Sequence, residues 1–195
     1  DKIILERFLL VLIFMISMKE ITEEESIELL RKYSDSPESF RKVLGHVKAV
    51  QKEAIAIASK VKDIDMYKIK IGSLLHDIGR FSCPPGKDRC KHGLIGGEIL
   101  RKEGLFDIAK IAERHIGVGI KKEDIVSQKL PLPAKDFVPV SKEEKIIAHA
   151  DNLIFGNKKG GFKEVVVRFK KELGDKYVER LIRLKEDIED MSKSN

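Results

Sequence analysis

The residues best placed for chemistry lie in Gly72-Ser73-Leu74-Leu75-His76-Asp77-Ile78-Gly79-Arg80, where an apolar, helix-like run delivers a histidine and an aspartate side by side and then stops at a glycine. Adjacent His and Asp at the end of a buried helix both need polar partners. A divalent metal satisfies them together, taking an imidazole nitrogen and a carboxylate oxygen as ligands. A helix cap also satisfies them, with His76 on the last carbonyls and Asp77 facing water. The dipeptide alone favours the cap. The residues that shift the balance are His46, His92, His115 and Asp151.

Each of these is delivered by a helical pattern. Thr22-Glu23-Glu24-Glu25 is a capping box opening a helix with Ile27, Leu29 and Leu30 on its apolar side. Ser36 as N-cap and Pro37 at the first helical position start a second helix that runs to about Lys60. His46 shares an apolar stripe with Val50, Ala54 and Ile57, so it points along the buried side. Taken alone, an inward histidine is more often a core residue than a ligand. The third helix, from about Asp65 through Leu75, ends at His76-Asp77.

In the loop from Phe81 to Lys91, six residues separate Cys83 from Cys90, too many for a two-residue zinc knuckle. They read as loop thiols, with a disulfide as the alternative in a hyperthermophile. A fourth helix begins near His92 and carries Gly96 and Gly97, where another helix is expected to approach closely. A fifth, Leu105 to His115, stops at Gly117-Val118-Gly119.

Lys121 to Val140 holds Pro131, Pro133 and Pro139 and reads as a short helical turn followed by an extended loop. Ser141 and Glu144 form another capping box, opening a helix to about Ile154. On it Asp151 follows Ile147 by one turn, an expensive place for a carboxylate unless it is paired or metal-bound. His149 lies about 200° round the helix from Asp151 and reads as structural. Gly156 and Gly160-Gly161 break the chain, and two amphipathic helices, Phe162 to Leu173 and Lys176 to about Met191, complete it. There is no strand alternation, internal repeat or low-complexity tract. The expected class is all-α.

Collected, the set is His46, His76, Asp77, His92, His115 and Asp151. The order His…His-Asp…Asp closely resembles the HD-domain superfamily of metal-dependent phosphohydrolases, and His76-Asp77-Ile78-Gly79 matches its HDIG form. The resemblance spans about residues 36 to 156 and implies an HD-domain-like helical bundle. It also implies one metal held by His46, His76, Asp77 and Asp151, and a second held by His92, His115 and Asp77 as the bridge. Two such cations can share a hydroxide and clamp a phosphoryl oxygen, making a Ser or Cys nucleophile unnecessary. Mixed imidazole and carboxylate ligands suit Mn, Fe, Co, Ni or Zn better than Ca. The pattern is similar to the hydrolases of symmetric dinucleoside polyphosphates and to two-metal cyclic-dinucleotide phosphodiesterases. The Gly-Tyr-Pro signature of the latter is missing. A lysine common after the motif is replaced here by Arg80. Asp77 and Arg80 are the expected catalytic pair. Arg80 is also the leading phosphate contact, with Arg114, Lys121 and Lys122 proposed from position only.

At 195 residues and 42% hydrophobic, the chain has the material for one substantial core. The expected division is an apolar extension over 1–20 and a single helical domain over 21–191, with its C-terminal helices in 161–191. Abundant Lys and Glu with only two glutamines resembles thermophile composition. The net charge of +6 is interspersed rather than gathered in a tail, so no long nucleic acid is expected as a partner. A small phosphorylated substrate such as a nucleotide fits a mildly basic surface. Two cysteines do not make a secreted disulfide framework, and the expected compartment is the cytoplasm.

Phe8 to Met18 is an almost unbroken apolar run, shorter than the ~20 residues that cross a bilayer. It reads as a packing helix, as a peripheral membrane anchor, or as sequence upstream of a start at Met18. The expected function is phosphoester or phosphoanhydride hydrolysis on a nucleotide or similar small phosphate. The alternatives are phosphodiester cleavage in RNA or a cyclic nucleotide, or nucleotide sensing without turnover. Substrate, native metal and oligomeric state, a homo-oligomer included, stay open.

Overall fold

A computed structural model describes residues 20–83 and 88–193. The apolar run from Phe8 to Met18 lies outside the described residues. Nine α-helices are described: α1 (Glu23–Tyr33), α2 (Pro37–Ala58), α3 (Met66–Leu75), α4 (Lys91–Lys102), α5 (Phe106–Arg114), α6 (Lys122–Gln128), α7 (Lys142–Leu153), α8 (Phe162–Glu172) and α9 (Asp175–Lys193). The all-α class holds. One feature departs from the sequence reading: an antiparallel hairpin of β1 (Ile154–Phe155) and β2 (Lys158–Lys159). Strands of two residues are too short to show alternation, so periodicity could not reveal them.

Helix starts follow their caps. Thr22 and Ser141 close full capping boxes with Glu25 and Glu144, and the Ser36 hydroxyl accepts from the Ser39 amide ahead of Pro37. The centre is α3, in which Ile69, Ile71, Gly72, Ser73, Leu74 and Leu75 are all buried. Lys68 and the exposed Lys70 mark its outer start, and a C-terminal half buried on every side belongs inside a bundle; α1, α2, α5 and α7 surround it. Val47, Val50 and Ala54 of α2 and Ile146, Ile147 and Ala150 of α7 are fully buried beside it. Gly72 permits the close approach: a Cβ there would lie 2.6 Å from Ile111 Cδ1 on α5 and 2.9 Å from Ile147 Cδ1 on α7.

The chain leaves α3 through a 3-10 turn, Ile78–Phe81, that packs on α4. Gly79 makes this contact possible, because a Cβ on it would fall 2.0 Å from the His92 carbonyl oxygen and 2.6 Å from the Gly96 nitrogen. Another helix does approach Gly96 and Gly97, as expected: Ala112 and Glu113 of α5 lie against them, and this turn also packs on Gly96. The fourth residue of the HDIG tetrapeptide thus holds α4, with His92, against the end of α3. Asp124 of α6 fastens α9, with Lys176 Nζ at 2.6 Å and Arg180 Nη1 at 2.7 Å. Cys83 and Cys90 are free thiols. No helix among the described residues is long and apolar enough to cross a membrane.

Candidate metal centre

Four histidines converge, and the backbone aims each of them. His76 is the C-cap residue of α3, and its Nδ1 lies 2.7 Å from the Ser73 carbonyl oxygen three residues back. His115, the C-cap of α5, repeats this with Ala112 at 2.8 Å, and His92 repeats it with Arg89. His46, in the middle of α2, instead reaches the Gly156 carbonyl oxygen in the hairpin, at 2.7 Å. A carbonyl only accepts, so in each ring Nδ1 carries the proton and donates. In the neutral imidazole, Nε2 is then left with a bare lone pair. This is the arrangement that holds a metal-ligating histidine in place.

The four Nε2 atoms meet two carboxylates. Asp77 is fully buried, which rules out the water-facing cap that the sequence left open. Its Oδ1 lies 3.2 Å from His92 Nε2 and 3.3 Å from His115 Nε2, while its Oδ2 lies 3.4 Å from His46 Nε2 and 3.8 Å from His76 Nε2. Asp151 Oδ1 lies 2.9 Å from His46 Nε2 and 3.7 Å from His76 Nε2. One carboxylate therefore divides its two oxygens between two histidine pairs.

The donors fit divalent cations. His76 Nε2 and Asp77 Oδ1 are buried without a hydrogen-bond partner, an expensive state for polar atoms in a protein interior. His92 Nε2 and His115 Nε2 face each other at 3.1 Å. With both Nδ1 atoms protonated, neither nitrogen of that pair has a proton to share, and a cation resolves the repulsion. Among the described residues, three groups have ligand atoms all within 4.8 Å of one another: His46, His76, Asp77; Asp77, His92, His115; and His76, His115, Asp151. Asp77 belongs to two of them. These nitrogen and carboxylate ligands suit first-row transition ions.

The electrostatics are those of a buried, strongly coupled cluster. Burial raises the Asp77 carboxyl, but His76, His115, His92 and Arg80 outweigh it and hold the group well below its usual range. Asp151 is lowered in the same way by His46 and His76. Burial takes His115 down to about 4 against the pull of Asp77, so its ring is neutral at pH 7. His46 is also pushed down by burial, yet the hydrogen bond and charge of Asp151, with Asp77, bring it to about 9.

His46, Asp77 and Asp151 line a cavity of about 690 Å³ together with Arg80 and Phe81. The Arg80 Nε bonds Asp77 Oδ2, which leaves its other N–H groups unspent. Lys121 and Lys122 do not line this cavity; they sit at the start of α6, where the Lys122 amide is bonded by Asp136 at 2.7 Å. The chain turns away after His115 through Gly117 and Gly119, both at positive φ, and α6 docks on α9 instead. Arg114 is held by Glu144 at 3.0 Å, and His149 lies off the cluster beside the Phe162 ring. Among the cavity residues the sequence reading missed are Arg41, Lys42, Asn157 and Arg168. His46 and Gly156 are 110 residues apart, and local patterns do not register a contact at that separation.

The model of the HD domain matches residues 43–156, from just before His46 to just beyond Asp151. The chain belongs to the HD domain family. An uncharacterized protein of Methanocaldococcus jannaschii is 46% identical over 143 residues, covering 72% of this chain and 81% of that protein. A protein of Thermoplasma volcanium named tRNA (cytidine(56)-2'-O)-methyltransferase is 39% identical over 83% of this chain, and one of the same name in Picrophilus torridus is 39% identical over 70%. This chain spans 45% and 38% of those two proteins, less than half of each. No solved structure matches the chain. The matched HD segment ends before α8, so Arg168 lies outside it.

Proposed function

We propose that this HD domain is a metal-dependent phosphohydrolase that cleaves a phosphoester or phosphoanhydride bond of a nucleotide or similar small phosphate. The observation carrying the reading is the division of Asp77's two oxygens between His92 and His115 on one side and His46 and His76 on the other. Two divalent ions would be held by His46, His76 and Asp151 on one side and by His92 and His115 on the other, with Asp77 available to both. When bound, such ions supply Lewis acidity and activate water for attack on phosphorus.

The chain's own residues do the rest. Nδ1–H bonds to backbone carbonyls fix all four rings, so the ligands need no reorganisation. Asp77 supplies negative charge between the two ligand groups. Arg80, anchored by one N–H on Asp77, presents the remainder of its planar fork to a phosphate in the cavity. Burial of Asp77, His76 and His115 keeps bulk water from competing with the donors.

The methyltransferase name of the two longer relatives describes whole proteins of which this chain spans less than half. It favours a second reading in which the phosphate belongs to RNA. Phosphate release from a panel of nucleotides and from end-phosphorylated RNA, with Mn, Co or Ni and with EDTA, tests both. Metal-dependent release from nucleotides supports the first reading, and release from RNA alone supports the second. No release from either under any metal refutes hydrolysis.

A further inference from the structure

Arg168 is the least explained cation near the centre. It sits on α8, outside the matched HD segment, yet lines the cavity with His46, Arg80 and Asp151. Its guanidinium lies over the Phe155 ring, 4.5 Å from the centroid, and NH2 donates to the Asn152 carbonyl oxygen at 3.0 Å. The ring contact and the carbonyl bond hold the guanidinium in place, and that single bond occupies only one of its five N–H donors. Among the described residues no carboxylate pairs with it, although Asp124 pairs Arg180 and Glu113 pairs Arg101. Capping the α7 carbonyl explains its position but leaves most of the fork unused.

The surroundings point to an anion. Lys42 and Arg41 of α2 line the same cavity and also have no carboxylate partner among the described residues. The acidic groups that face them are Asp35, bonded to the Ser39 hydroxyl, and the ligands Asp77 and Asp151. The volume of about 690 Å³ falls in the ~300–1,000 Å³ range that admits drug-sized ligands, more than a single phosphate needs. Arg80 already stands beside Asp77 to meet the phosphate under attack.

We propose that Arg168, with Lys42, grips a second phosphate of the substrate, so that the cleft selects nucleotides carrying two separated phosphate groups over monophosphates. This rests on the hydrolase reading for the first phosphate but concerns a different subsite. Charge-assisted hydrogen bonds to a fixed guanidinium convert to a preference of about tenfold or more.

The test is calorimetric binding to the cobalt-loaded full chain of two unhydrolysable probes, adenosine 5′-phosphonate and adenosine 3′,5′-bisphosphonate. The bisphosphonate should bind about tenfold or more tightly, Arg168→Met should abolish that preference while leaving 5′-phosphonate affinity unchanged, and Arg168→Lys should keep part of it. Equal affinities in the wild type, or an Arg168→Met loss shared by both probes, overturns the proposal and leaves Arg168 as a cap of α7. Absence of binding by either probe overturns it as well. A preference that depends on Arg168 in a protein that never releases phosphate keeps the grip and refutes the hydrolase reading. Metal-dependent phosphate release from an adenosine 3′,5′-bisphosphate that Arg168→Met leaves unchanged does the reverse.

Discussion

Replacing Gly79 by alanine adds one methyl group at the tightest backbone contact that forms the site. The new Cβ would start 2.0 Å from the His92 carbonyl oxygen, 2.6 Å from the Gly96 nitrogen and 2.9 Å from the His92 carbonyl carbon. An ordinary contact begins at 3.4 Å, so the turn and α4 must separate by roughly 1 Å. The obstructing atoms belong to backbone and have no alternative rotamer. The cost should therefore lie at the upper end of the overpacking range, about 3 kcal/mol. For a chain of this size that is a Tm lower by about 6–12 °C. The retreat carries His92 with it, so the ligand group of Asp77, His92 and His115 should lose its metal first.

Gly45, in the middle of α2, is the matched control. A Cβ there meets only Asn157, at 3.9 Å, and Gly45→Ala should stabilise the chain by up to about 1 kcal/mol through helix propensity. Thermal melts followed by circular dichroism, with metal analysis of each protein, measure both effects. An unchanged Tm and full metal content in Gly79→Ala would refute the packing argument.

Other outcomes follow from the same geometry. Asp77→Asn keeps the shape but removes the shared charge; metal content should drop and phosphate release should fall on the order of 10³-fold, with a fold that still melts cooperatively by circular dichroism. Arg80→Ala should keep its metals and raise KM about tenfold with kcat little changed, as steady-state kinetics would report. Asp124 is raised by burial but lowered more by Lys176, Arg180 and the Lys121 amide, to about 2 from an ordinary 3.8. The folded chain thus holds that proton less readily than the unfolded one. Its contribution, about 2 kcal/mol, should be complete above about pH 4 and vanish as pH falls towards 2, and urea titrations should show this acid slope flattened in Asp124→Asn.

That these side chains would converge was legible because the chemistry of a buried polar cluster confines the choice of residue types. Histidines at helix ends and an aspartate on an apolar stripe are costly without a shared partner, so their coincidence was informative before any contact was known. Helix starts were legible at Thr22, Ser36-Pro37 and Ser141 because caps are local chemistry. The cavity wall around Arg168 was not. It is assembled when the Ile154–Lys159 hairpin folds back onto α2, and Phe155 then stacks Arg168. Lys121 and Lys122 looked plausible for following His115 in sequence. Two positive-φ glycines and the docking of α6 on α9 take them elsewhere.

The central claim is that Asp77 serves two ligand groups at once, and metal stoichiometry tests it most directly. The full chain, saturated with Mn or Co and cleared of free ion, should carry about two ions by elemental analysis. The double variant His92→Ala, His115→Ala should retain about one, bound through His46, His76, Asp77 and Asp151. A wild-type content that stays at one under saturating metal, or a double variant that still holds two, would contradict the account.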